Sequence, residues 1–118
     1  SQDRVAEKTF LAAIGLATAP FAPVATAADL DAALARIGCP AILKTARMGY
    51  DGKGQAQIVS PADAPAALAA MAGAPAVLEG FVTFEREISV IAARGLSGQI
   101  AAYDPGENLH EAGILRST

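Results

Sequence analysis

Three glycines stand in six positions in Gly49-Tyr50-Asp51-Gly52-Lys53-Gly54-Gln55. Glycine takes positive φ without strain and lets a backbone come close to a ligand. Successive N–H groups in such a run form a concavity for anions, and Lys53 adds a mobile positive charge. Polyphosphate is the guest that this chemistry suits. The run is not a Walker A loop, because no Gly-Lys-Ser/Thr follows and the next element reads as a strand. It is not a Rossmann fingerprint either, which needs a strand, a glycine turn and then a helix. The same residues also make a plain hairpin with Asp-Gly turn chemistry, and on the loop alone both readings stand.

Other residues could work with that loop. Lys44 lies inside the apolar run Ala41-Ile42-Leu43-Lys44-Thr45, so its ammonium faces either solvent or a buried anion. Five residues before the loop, it could reach the same phosphates as Lys53. Glu79 ends the run Ala76-Val77-Leu78 and is followed by Gly80-Phe81-Val82. Backbone leaving a strand in an apolar setting can pair with the edge of a purine ring, and a carboxylate beside it can accept from an exocyclic amine. Glu87 opens the next strand and could accept from ribose hydroxyls. The plain alternative for each glutamate is an exposed charge at a strand end, and for His110 a loop histidine. One cysteine and one histidine make no zinc site by themselves. Cys39, between Gly38 and Pro40, reads as a small buried hydrophobe. As a lone thiol it cannot form an internal disulfide and fits a reducing cytoplasm.

Positioning these groups takes a mixture of helices and strands. Asp3 to Ile14 reads as a helix capped by Asp3, with Val5, Phe10, Leu11 and Ile14 on one face and Gly15 as its stop. The proline-rich Ala19 to Val24 suits an edge strand. Thr26 to Asp29 resembles a capping box with Asp in place of Glu, and Leu30, Leu34 and Ile37 follow at helical spacing to Gly38. Ala41 to Thr45 reads as a strand and Ala56 to Val59 as its return. Ser60-Pro61 opens a third helix, with Leu68 and Met71 facing inward and Gly73 closing it. Ala76 to Glu79 is a strand. Glu87 to Ala93 reads as one alternating strand, with a turn at Leu96-Ser97-Gly98 and a strand over Gln99 to Tyr103. Asp104 to Thr118 reads as loop, with a strand possible at its end. The fold class is α+β with hairpins rather than a regular βαβ repeat.

Composition removes several functions. The net charge of −3 leaves no broad basic surface for nucleic acid. Hydrophobic residues reach 53%, above the usual share, but alanine supplies most of the excess. No apolar run approaches the roughly 20 residues that span a bilayer. Ser1-Gln2-Asp3-Arg4 leads into an amphipathic pattern rather than a secretory signal.

Together, the spaced groups carry a family resemblance. Arg4, Lys44-Thr45, the loop 49–55, Glu79-Gly80-Phe81-Val82, Glu87-Ile88-Ser89-Val90 with Ala93-Arg94-Gly95, and Asn108-Leu109-His110 with Gly113-Ile114-Leu115-Arg116 resemble the 5-(carboxyamino)imidazole ribonucleotide synthases of the ATP-grasp superfamily. The resemblance runs from Asp3 to the end of the chain. It implies that residues 1–82 are the ATP-grasp lid subdomain, helices on a small antiparallel sheet, and that 83–118 begin the larger subdomain. Arg4 and Lys44 would contact the phosphates, and Gly49, Tyr50, Asp51, Gly52, Lys53, Gly54 and Gln55 would fold over them. Glu79 would take the adenine amino group, the segment Gly80-Phe81-Val82 would read the ring, Glu87 would hold the ribose, and His110 falls at a nucleotide-site position. One departure stands out: family members commonly carry a run such as Arg-Arg-Gly-Gly before the tyrosine, where this chain has Ala46-Arg47-Met48-Gly49.

The implied reaction is ATP-dependent carboxylation of 5-aminoimidazole ribonucleotide with bicarbonate, through carboxyphosphate, in a cytoplasmic and often dimeric ligase. Positioning and charge neutralisation do most of the work in such chemistry, with magnesium bridging the phosphates. The family takes its magnesium ligands from an acidic pair beyond the last residue of this chain. The sequence is therefore expected to be a catalytically silent fragment of such an enzyme, with no catalytic residue of its own. Another ATP-grasp carboxylase or ligase would share the glycine loop, though not the His110 segment. A non-catalytic nucleotide-binding module would have to protect its sheet edges unaided.

Overall fold

A computed structural model describes residues 2–47, 54–111 and 114–118. The chain divides into two compact units, Ser1–Val82 and Thr83–Thr118.

Helix α1 of the first unit spans Arg4–Ala13. Its amino end is fixed by Asp3, whose carboxylate accepts from the amides of Val5 and Ala6 at 3.0 and 3.1 Å. Strand β1 (Phe21–Val24) follows, then helix α2 (Ala27–Ile37). The capping box forms as expected: the Asp29 amide donates to Thr26 Oγ1, and the Thr26 amide donates to Asp29 Oδ2. Gly38 ends α2 with a φ of 85°, in the left-handed region that glycine tolerates. Strands β2 (Ala41–Thr45) and β3 (Gln55–Ile58) form a hairpin. A short 3-10 turn (Pro61–Asp63) leads into helix α3 (Ala64–Ala70), and β4 (Ala76–Gly80) completes the unit.

The four strands make one antiparallel sheet in the order β1-β4-β2-β3. The proline-bearing β1 takes an edge, as Pro23 requires. Strand alternation divides the sheet into two faces. One face carries Ala22, Leu43, Leu78 and Ile58 onto α2 and α3, where Leu30, Leu34, Ala67 and Met71 complete the core. Leu43, Ile58 and Leu78 are fully buried. The register puts Phe21, Glu79, Ile42 and Gln57 in one row of the other face, and Pro23, Val77, Lys44 and Gln55 in the next.

Helix α1 buries none of its residues, and Phe10 and Ile14 of its expected apolar face are more than half exposed. Polar anchors hold it instead. The Arg4 amide donates to the carbonyl of Ala46 at 2.9 Å, and the Arg4 guanidinium donates to the carbonyl of Thr45 at 3.0 Å. Cys39 is exposed, not buried as its apolar neighbours suggested, because it sits in the turn between α2 and β2 beyond the reach of the core.

In the second unit the strand expected over Glu87 to Ala93 is two: β5 (Ile88–Ser89) and β6 (Ala92–Arg94). They separate because each pairs elsewhere. Strand β7 (Ile100–Ala102) pairs with β6 through the Leu96-Ser97-Gly98 turn, whereas β8 (Gly106–Glu107) pairs with β5. The tail expected to be mostly loop adds β9 (Leu109–Glu111) and β10 (Ile114–Ser117), an antiparallel pair. Among the described residues no helix is long and apolar enough to cross a membrane.

Candidate functional site

Lys44 and Glu79 are neighbours because of register. Lys44 lies opposite Val77 on β4, and Glu79 lies opposite Ile42 on β2, so the two side chains are diagonal on the same face. Lys44 Nζ donates to Glu79 Oε2 at 2.9 Å. The Glu79 side chain is only 11% exposed and Lys44 25%, so each charge needs the other. Of the two readings open for Lys44 from sequence, the anion-facing one is observed, and the anion is Glu79. A second ammonium completes the group: Lys8 Nζ on α1 stands 3.5 Å from Glu79 Oε1, its side chain 17% exposed. The same nitrogen lies 5.8 Å above the ring of Phe21, the cross-strand neighbour of Glu79.

The glycine loop joins β2 to β3. Gly49, Tyr50, Asp51, Gly52 and Lys53 lie outside the described residues. Gly54 and Gln55 are described, and Gln55 pairs with Lys44 on the same face. At the loop's base the Thr45 amide donates to the carbonyl of Gly54 at 2.8 Å, and Arg4 grips the Thr45 carbonyl. Lys44 therefore lies on the strand that leads into the loop, and Arg4 is bonded to the end of that strand. Arg47 Nε pairs with Asp3 Oδ2 at 3.0 Å. The Ala6 amide, and after it the Arg47 guanidinium, hold the Asp3 carboxyl below its ordinary pKa.

The segment leaving β4 is fixed by its backbone. The Gly80 amide donates to the carbonyl of Pro20 at 2.8 Å, and the Phe81 amide to that of Pro40 at 3.2 Å. The side chains of Phe81 and Val82 are about half exposed.

Glu87 and His110 belong to the second unit, where they meet. His110 Nε2 lies 3.4 Å from Glu87 Oε1, and Asn108 Nδ2 donates to the same oxygen at 2.8 Å. The Asn108 amide also donates to the Glu87 carbonyl at 2.8 Å. Asn108 Oδ1 is buried with no hydrogen-bond partner.

Reading the sequence for single residues missed Lys8, because its partner is distant in the chain and nothing local marks it. Asn108 was legible only as part of the segment around His110. Among the described residues no group of three or more His, Cys, Asp or Glu side chains gathers to hold a metal. Magnesium takes only one or two protein carboxylates beside substrate phosphates, so its ligands stay unassigned among the described residues.

The comparison with known proteins decides the lineage. The model of the ATP-grasp domain matches residues 9–118. The chain belongs to the ATP-grasp family. Within that family it is similar to the N5-carboxyaminoimidazole ribonucleotide synthase of Brucella melitensis, 52% identical over all of this chain and 33% of that protein. The crystal structure of the Staphylococcus aureus N5-carboxyaminoimidazole synthetase with ADP superposes with a TM-score of 0.91 at 35% identity, covering 97% of this chain and 31% of that one. The Aspergillus clavatus synthase in complex with ADP and 5-aminoimidazole ribonucleotide gives 0.85 at 26% identity, covering 97% and 30%. This ATP-grasp chain thus spans about a third of the length of the relatives it matches.

Proposed function

We propose that this ATP-grasp chain is the nucleotide-binding part of an N5-carboxyaminoimidazole ribonucleotide synthase. The observation that carries the reading is the Lys44–Glu79 pair, nearly buried on one sheet face, with Thr45 beside Lys44 tied to Gly54 at the base of the glycine loop. Residues 1–82 are then the lid subdomain and 83–118 the beginning of the larger one, in line with the division after Val82.

The roles are those that the family resemblance implies for these positions. Lys44 and Arg4 neutralise phosphate charge, and the loop from Gly49 to Gln55 closes over the phosphates with its amides and Lys53. Glu79 accepts from the adenine amine. The Phe81 amide is engaged by Pro40, so the Phe81 carbonyl and the Val82 amide are the groups left to read the ring edge. Glu87 accepts from ribose hydroxyls, with Asn108 and His110 orienting it.

In the whole enzyme a bicarbonate oxygen attacks the γ-phosphorus of ATP, releasing ADP and forming carboxyphosphate. The amine of 5-aminoimidazole ribonucleotide then attacks the carboxyl carbon. Phosphate leaves, the amine loses a proton, and the N-carboxylated product remains. The contribution of this chain is to hold ATP in line and offset its charge. Magnesium supplies further charge neutralisation when bound, and none of the described residues is assigned to it. Bicarbonate as co-substrate, a homodimeric assembly and a cytoplasmic location belong to the same reading.

The test is ADP release by the full-length protein with bicarbonate, with and without 5-aminoimidazole ribonucleotide. Release that depends on the ribonucleotide supports the reading. Release that ignores it and responds to another acceptor overturns the substrate and keeps the ATP-grasp ligase.

A further inference from the structure

Glu79 holds two ammonium groups, one on each oxygen: Lys44 on Oε2 at 2.9 Å and Lys8 on Oε1 at 3.5 Å. Serving the phosphates would draw Lys44 away from the carboxylate. A carboxylate only 11% exposed that lost its partner would be left nearly buried and uncompensated, which is costly. Lys8 is placed to prevent that. It reaches Glu79 from α1, whose first turn is fixed by the Asp3 cap and whose Arg4 is bonded to β2 and the residue after it. Its nitrogen also lies over the Phe21 ring, so its approach to Oε1 does not depend on Lys44.

We infer that Lys8 is a positioning residue of the nucleotide site, holding the Glu79 carboxylate in place and compensated so that Lys44 is free to turn to the phosphates. The inference rests on the assignment of Lys44 and Glu79 to ATP made above and adds a residue to it. Lys8 is assigned no contact with the nucleotide; it acts through Glu79.

The test is a double-mutant cycle on ATP affinity in the full-length protein, read by calorimetry, with thermal unfolding followed for every variant. Lys8→Met is expected to weaken ATP roughly tenfold, inside the 5- to 150-fold span typical of coupled sites. Lys8→Arg, which keeps the charge, restores most of the affinity. In a Glu79→Gln background the removal of Lys8 changes affinity little, because no carboxylate charge remains to be held. Lys8→Gln repeats the cycle if Lys8→Met does not fold. An equal loss in both backgrounds, or no loss in either, overturns the role of Lys8. ATP affinity unchanged by Glu79→Gln itself overturns the placement of the nucleotide, and the inference with it.

Discussion

The amide of Thr45 donates to the carbonyl of Gly54 at 2.8 Å and so ties together the two ends of the glycine loop. Gly54 has a φ of +70°, and a Cβ built on it would stand 2.9 Å from Thr45 Oγ1. Both facts restrict the position to glycine. Gly54→Ala is expected to destabilise the protein by about 1–3 kcal/mol through backbone strain and crowding together. A lower urea midpoint with an unchanged slope is the signature to look for, and an unshifted midpoint would show that the loop base yields freely.

Lys44 carries the strongest functional expectation. With the ammonium gone, Glu79 keeps Lys8 among the described residues, and on the proposed reading the phosphates lose a cation. Lys44→Ala in the full-length enzyme should lower kcat/KM for ATP on the order of 10²-fold, the scale of losing one preorganised charge-stabilising group. Steady-state ADP release measures it. Activity within twofold or so of the parent would remove Lys44 from the phosphate site.

Glu87 and Asn108 give a sharper readout, because a ribose contact distinguishes sugars. Asn108 Nδ2 and His110 Nε2 both address Glu87 Oε1, so Asn108→Ala should loosen the carboxylate without removing it. Hydrogen bonds to charged groups contribute about 1.5–3 kcal/mol, which corresponds to roughly ten- to a hundredfold in affinity. Glu87→Gln should therefore reduce the preference for ATP over 2′- or 3′-deoxy-ATP by up to that factor, and Asn108→Ala by less. A preference that neither variant moves would place the ribose elsewhere.

Acid should weaken the first unit through its caps. The Asp29 carboxyl is held below its ordinary value of 3.8 chiefly by the Ala25 amide and then by Thr26. Asp63 is held down by the Ser60 and Val59 amides, and Asp3 by Ala6 and then Arg47. A folded pKa below the unfolded one means that the folded state binds fewer protons. The contribution of these groups is then complete above the unfolded value and is lost as pH falls through the folded one. Tm should hold from neutrality and drop below about pH 4 as the caps take up protons. Asp63→Asn should flatten part of that drop, and an acid limb identical to the parent's would assign it to other carboxylates.

Leu78 tests the core directly. It is fully buried on β4 between the β1 and β2 neighbours and faces α2 and α3. Leu78→Ala should cost about 2–5 kcal/mol in chemical denaturation, the range for emptying a buried leucine site. A smaller loss would mean that the alanine-rich helices close over the gap.

Much of the first unit was legible because its signals are local. The Thr26–Asp29 capping box, the left-handed Gly38 and the apolar runs of β2 and β4 each lie within a few adjacent residues. The helix over Arg4–Ala13 was equally legible, but not what holds it, since Arg4 and Lys8 find their partners on β2 and β4. The pairing of Lys44 with Glu79 needed the sheet register, which one sequence does not print. In the second unit β7 was legible within Gln99 to Tyr103, but the break between β5 and β6 and the short β8 and β9 were not, because two or three residues carry too little alternation to mark them. Val90 and Ile91 continue the apolar pattern of their neighbours, yet lie between two strands with different partners.

The strand order β1-β4-β2-β3 has a consequence for synthesis on the ribosome. β4 is the last strand of its unit to be made, and it lies between two strands made earlier. Until Ala76–Gly80 emerges, β1 has no strand partner and the β2 edge of the β2–β3 hairpin is open. Lys44 must wait for a partner 35 residues downstream. A pause in translation before β4 would expose unpaired backbone on both earlier pieces, the condition under which nascent chains aggregate or recruit chaperones. The strand that carries Glu79 is thus also the wedge that closes the sheet, and the charged site cannot exist before the fold does.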